Sequence, residues 1–169
     1  MAEKNGNGRL EKISLGKAGR WLIDSAGKIG LDIKDFTHEI TNEFVRHVIK
    51  NHGSEKIESA RGQAAIRESD FRKIPEIVGK PDYAIVGAKR NNRCVVIYVK
   101  KTSDGTILYF EEVLSGRNNR TLRGKTMYKR KDVVDKETVL NVVTSRYKTD
   151  VSGAKIVVGA GGQTSNEAV

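Results

Sequence analysis

The chain predicts an α+β domain in which N-terminal helices pack on one face of a four-stranded antiparallel sheet, and three observations carry that expectation. Before residue 80 the apolar residues recur at helical spacing, and after residue 82 they fall in runs rich in Val, Ile, Tyr, Thr and Phe. The linkers between those later runs are too short to hold crossover helices, so consecutive strands must be antiparallel. With 169 residues, 37% apolar and 6% aromatic, the chain suits one domain with appendages.

Residues 1–33 mix Gly, Asn and charge and read as a flexible lead-in, with a short helix and turn around Trp21, Leu22, Ile23, Gly27 and Gly30. The strongest helix is expected over residues 36–51, with Asp35 as its cap, Phe36, Ile40, Phe44 and Val48 at i, i+4 steps, and Gly53 as its stop. His47 lies on the edge of that stripe, His52 at the helix end and His38 well round the cylinder. Ser69 introduces a second helix through Phe71, Ile74, Ile77 and Val78, which Pro75 kinks or divides. Strands are expected at 83–86, 94–101, 106–114 and 122–131, joined into a meander by the Ser103-Asp104-Gly105 turn and the loop 115–120. Asp135 caps a last helix over 136–146, and Gly, Ser and Thr make 149–169 a loose tail. The folded unit is therefore placed at 34–148.

Composition narrows the function. Lys and Arg number 31 against 21 Asp and Glu, a net charge of +10 that calls for a polyanionic partner, nucleic acid foremost. No stretch approaches the roughly 18 apolar residues of a membrane span or has the form of a secretory signal, so bilayer insertion is not expected. The single cysteine, Cys94, excludes an internal disulfide and a Cys-based zinc cluster within the chain. There is no His-Glu-x-x-His helix and no tight acidic cluster, so no metal is expected. The glycines from Gly159 imitate a dinucleotide-binding turn, but Thr164 stands where the third glycine belongs and too little chain follows for the helix, so no cofactor is expected either.

The fourth strand carries the chemistry. Arg123, Lys125, Lys129, Arg130 and Lys131 surround Thr126 and Tyr128. Plain alternation puts Thr126, Tyr128 and Arg130 on one side and Lys125, Met127, Lys129 and Lys131 on the other. Cations hold a phosphodiester and stabilise the charge that grows on it, and an aromatic face stacks a base. An edge strand defended by lysines against aggregation has the same composition. On the preceding strand one of Glu111 and Glu112 faces a cleft, as ion-pair partner or general base, and the other faces away. With His47 and His52 supplying proton transfer near neutral pH, these are the groups that metal-free RNA cleavage needs.

The succession RHVIKNHG, GQAAIRESDFRKIPEIVGKPD, VVIYVKK, ILYFEEV and KTMYKRK, spanning roughly residues 36–132, resembles the phage-type branch of the barnase/EndoU/colicin/RelE superfamily of nuclease domains. Such domains occur in phage-associated polyvalent proteins and as C-terminal toxin domains in bacterial competition. The resemblance implies helices on a four-stranded antiparallel sheet and metal-independent ribonuclease activity, commonly on transfer RNA. It implies His47 and His52 in proton transfer, Lys129 in phosphate stabilisation and Thr126 in hydrogen bonding to the phosphate or 2′-OH. Tyr128 stacks a base or shares in proton transfer, and Glu112 is the weaker match. Lys125, Arg130, Lys131 and Arg123 are the expected RNA-binding cations. The same resemblance implies an acidic immunity protein that covers the basic site. It also implies action in a bacterial cytoplasm after delivery within a larger secreted or phage-associated protein, with residues 1–33 as part of a cell-penetrating segment. A non-catalytic nucleic-acid-binding module and a phage structural domain are the rival readings, and the oligomeric state is left open.

Overall fold

The computed structural model describes residues 10–132, 135–159 and 165–168. The expected meander forms its spine: β4 (Tyr83–Arg90), β5 (Arg93–Thr102), β6 (Gly105–Gly116) and β7 (Asn119–Arg130) pair antiparallel in chain order. The sheet extends well beyond these four strands. β1 (Lys12–Lys17) and β2 (Thr37–Thr41) join beside β7, while β8 (Lys155–Val158) and β9 (Ser165–Ala168) join beside β4. The order is β1-β2-β7-β6-β5-β4-β8-β9, with β3 (Gln63–Ala64) also against β7. β2 and β7 are parallel, so the sheet is mixed.

Both faces are covered, where one covered face was expected. Side chains alternate along the strands, so each strand feeds two cores. On one face α1 (Arg20–Gly27), α2 (Asn42–His52) and α5 (Ile74–Gly79) bring Leu22, Phe44, Val48 and Ile77 onto Val86, Val96, Tyr98, Ile107, Tyr109 and Met127. On the other, α6 (Lys136–Asn141) widens into a π-helical turn over Val142–Arg146 and brings Val139, Val143 and Tyr147 onto Ile85, Ile97, Val99, Leu108 and Phe110. Asp135 caps α6 as expected, accepting from the Thr138 amide at 2.8 Å. Two further short helices, α3 (Glu55–Ala60) and α4 (Glu68–Phe71), complete the cover, and Pro75 opens α5 and separates it from α4.

Three expectations are corrected. The helix does not start at residue 36: residues 37–41 are strand, and Thr41 is the true cap, its Oγ1 accepting from the Phe44 amide at 3.0 Å. Phe36 and Ile40 are four apart, a spacing that shares one face in a strand as well as in a helix, and pairing with both β1 and β7 decides for the strand. His38, between them, is consequently buried rather than turned outward. The supposed lead-in supplies β1 and α1, with Leu22, Ala26 and Ile33 wholly buried, and the supposed tail supplies β8, hydrogen-bonded along β4. Residues 1–9, 160–164 and 169 of those two segments lie outside the described residues.

Candidate active site

β7 organises the site. One of its edges is taken by β6; the other is paired to β2 only at Thr121–Arg123 and to β3 only at Lys129–Arg130. α2 lies against the unpaired stretch between them, because the chain leaves β2 directly into α2 and returns through α3 to β3. The histidines of its last two turns therefore meet the middle of β7. His47 Nε2 lies 3.4 Å from the Thr126 hydroxyl, the His47 and His52 rings are 6.2 Å apart, and the His52 ring meets Tyr128 edge-on at 4.5 Å.

Neighbours determine which ring nitrogen is the donor. The Asn51 side-chain amide donates to His47 Nδ1 at 3.2 Å, so the neutral ring carries its proton on Nε2, towards Thr126. His52 Nδ1 donates instead to the fully buried Glu58 carboxylate at 3.2 Å, which leaves Nε2 as the free acceptor. Glu58 is held in turn by Arg61 at 2.9 Å and by the Gln63 amide at 2.5 Å, and Gln63 accepts from the Tyr147 hydroxyl. Both imidazoles titrate below their ordinary range. For His47 burial is the main cause, followed by the positive field of His52, Lys125 and Arg90; for His52 burial outweighs the opposing pull of Glu58.

Two bulges decide which cations reach this face. In β7 Phe110 pairs with Thr126 and Glu111 with Gly124, so Lys125 is an extra residue that bends out, exposed, with its charge acting on His47. In β4 Val86 pairs with Val96 and Ala88 with Val95, so Gly87 is the extra residue there, with φ of +86°. Val86 faces the α2 core, Ala88 faces the opposite core, and Arg90, two residues on, shares the face of Ala88. Arg90 Nε donates to the Tyr147 carbonyl at 3.3 Å and Nη2 to the Tyr128 hydroxyl at 3.4 Å, with the guanidinium 5.3 Å from the Phe110 ring centroid.

The remaining expected site residues divide. Lys129 does not reach the site: it is 1% exposed, and its ammonium is shared between Asp70 at 2.8 Å and Asp104 at 2.9 Å on the helical side. Phosphate stabilisation by Lys129 is thereby corrected. Tyr128 has one face closed to a base by Tyr147, stacked on it at 4.0 Å, and its ring is further hemmed in by His52 and Phe110, inclined to it at 4.5 and 5.7 Å. Arg130 is buried and spends Nε and Nη2 on Asp132, so it is not an exposed RNA contact. Arg123 pairs with Glu39 at 3.0 Å, and Lys131 is exposed, 3.9 Å from Glu55. Glu112 faces a concavity of about 280 Å³ shared with His47, Arg123 and Lys125, whereas Glu111 turns the other way and binds His38, Tyr98 and Tyr109.

Comparison with known families gives an independent reading of the chain. The family described as phage-Barnase-EndoU-ColicinE5/D-RelE like nuclease matches residues 16–137. The chain belongs to this nuclease family. No curated protein and no solved structure matches it. The nuclease match starts within β1 and ends within α6, so α1 is inside the family unit, contrary to the boundary expected at residue 34. It takes in His47, His52, Glu58, Arg90, Lys125, Thr126 and Tyr128, and leaves out only Tyr147 of the side chains gathered at the site. Glu58, Arg90 and Tyr147 of this nuclease were not legible as site residues. For Arg90 the Asn91-Asn92 turn signals a hairpin, but its face depends on a bulge that alternation does not announce.

Proposed function

We propose that the protein is a metal-independent endoribonuclease that cleaves RNA, with transfer RNA as substrate, by attack of a ribose 2′-hydroxyl on the adjacent phosphate to leave a 2′,3′-cyclic phosphate. The observation that carries this reading is the convergence of His47, His52 and Thr126 on one cationic face. His52 is the base: Glu58 holds the Nδ1 proton and orients the ring, and burial keeps Nε2 deprotonated near neutral pH. His47 is the acid, its Nε2 proton directed at the reacting face beside Thr126. Its depressed affinity for a proton rises when a phosphate anion offsets the field of Lys125 and Arg90. Thr126, accepting from His47, donates its own proton to a phosphate oxygen. DNA has no 2′-hydroxyl to serve as nucleophile, which favours RNA.

The biological setting belongs to the same proposal. The domain acts in a bacterial cytoplasm as the C-terminal part of a larger secreted or phage-associated protein, and an acidic immunity protein occludes the basic face in the producing cell. Incubating the protein with total RNA in EDTA tests the chemistry. Fragments ending in cyclic phosphate are expected, lost in His52→Ala, His47→Ala and Thr126→Ala variants with unchanged circular dichroism. RNA that stays intact while binding in a salt-sensitive way identifies a non-catalytic binder instead.

A further inference from the structure

We propose that Arg90 is a catalytic residue whose guanidinium binds the non-bridging oxygens of the scissile phosphate and stabilises the charge of the transition state, an inference that rests on the RNA-cleaving reading above. The Gly87 bulge turns Arg90 from the α2 core onto the face that holds Thr126 and Tyr128. Its fork is held in place by the Tyr147 carbonyl and the Tyr128 hydroxyl, on Nε and Nη2, and rests over Phe110, which leaves Nη1 and the second hydrogen of Nη2 for a further acceptor. It forms no ion pair among the described residues, whereas Lys129, Arg130 and Arg123 are each tied to a carboxylate. Half-buried, and close enough to His47 to depress its proton affinity, Arg90 is a positioned charge without a counter-charge. Such a group is costly to keep buried unless an anion completes it.

In the reaction the 2′-oxygen bonds to phosphorus while its proton passes to His52 Nε2. The bond from phosphorus to O5′ then breaks, and O5′ takes the proton of charged His47. The phosphate passes from a monoanion through a five-coordinate dianion to a monoanionic cyclic ester. The extra charge exists only in the middle of that sequence, so a bidentate guanidinium contributes more to rate than to ground-state binding.

The experiment compares the parent protein with Arg90→Ala and Arg90→Lys, on RNA for kcat/KM and on fully 2′-O-methylated RNA, which cannot be cleaved, for affinity. Arg90→Ala is expected to lose roughly 10²–10³-fold in kcat/KM while affinity changes less than about tenfold, and millimolar guanidinium is expected to restore part of the rate. Arg90→Lys keeps the charge without the fork and falls between; it carries the test if the alanine variant fails to fold. The proposal is overturned if folded Arg90→Ala cleaves within about threefold of the parent, or if its loss is matched by weaker binding of the methylated RNA with no guanidinium rescue. A parent protein that leaves RNA intact overturns the functional reading itself, a result separate from either of these.

Discussion

Lys125 and Lys129 stand one helical turn's worth of sequence apart on the same strand and have opposite fates. Lys129 is sealed between Asp70 and Asp104, and losing its ammonium leaves the buried Asp70 carboxylate with only Lys73, at 3.3 Å, and the Arg67 amide, at 2.8 Å, to offset its charge. Lys129→Met is expected to cost at most about 3–5 kcal/mol in chemical denaturation, since Asp70 keeps Lys73, while leaving the kcat/KM of the folded fraction near the parental value. A variant that folds normally but cannot cleave RNA would reinstate Lys129 at the site. The same pair has a pH signature: Lys129 draws the Asp104 carboxyl down to about 2 from an ordinary 3.8, so its stabilisation is fully present above 3.8 and is lost as pH falls through about 2. For the histidines the sign bears on rate. Both are depressed below 6.5 in the free protein, so kcat/KM is expected to peak below that pH and to be already in decline at neutrality as His47 loses its proton. In kcat the same alkaline limb moves to higher pH, because bound phosphate supports the imidazolium; coincident limbs in the two profiles count against His47 as the acid. The residue types of this site were legible in the sequence, since His47, His52 and Thr126 do meet. The partners that tune them were not: Glu58 and Arg90 are brought to the site by a short helix and a bulge with no periodic signature.

At the scale of elements, the four runs rich in β-formers became β4 to β7, because alternation and two-residue or short turns specify an antiparallel meander locally. Alternation failed where a glycine inserted an extra residue. Gly87 sits at φ of +86°, a conformation that penalises any side chain, and a Cβ there would also stand 2.3 Å from Ile29 Cδ1, which is free to swing aside. Gly87→Ala is therefore expected to destabilise by about 1–3 kcal/mol, mainly through the backbone, and to reduce cleavage by loosening the strand end that aims Arg90. Gly153→Ala, with nothing within 4 Å of its new methyl group and no unusual φ, serves as the control and should change neither stability nor rate appreciably. Equal behaviour of the two variants in melting and kinetic assays would separate the bulge from the chemistry. The misread start of α2 has a different cause: apolar residues four apart satisfy both periods, and only long-range pairing with β1 and β7 chooses between them.

For the molecule as a whole, composition misled because it weighs residues where they stand rather than where they pack. Residues 10–33 are rich in Gly and Lys, yet β1 closes the edge of β2, and Leu22, Ala26 and Ile33 are completely buried beneath the sheet. Burying even one leucine of this kind is worth about 2–5 kcal/mol, and whole domains hold only about 5–15 kcal/mol in reserve. A chain beginning at residue 34 would lose all three side chains, expose the β2 edge that leads into α2, and uncover Trp21's partner Tyr98 in the core. It is expected to show no cooperative unfolding transition and no RNA cleavage, whereas the full chain shows both. Near-ultraviolet circular dichroism and denaturant titration of the two chains decide the matter: if the shorter one melts cooperatively at the parental midpoint, α1 is an appendage after all, and the position of His47 over Thr126 does not depend on it.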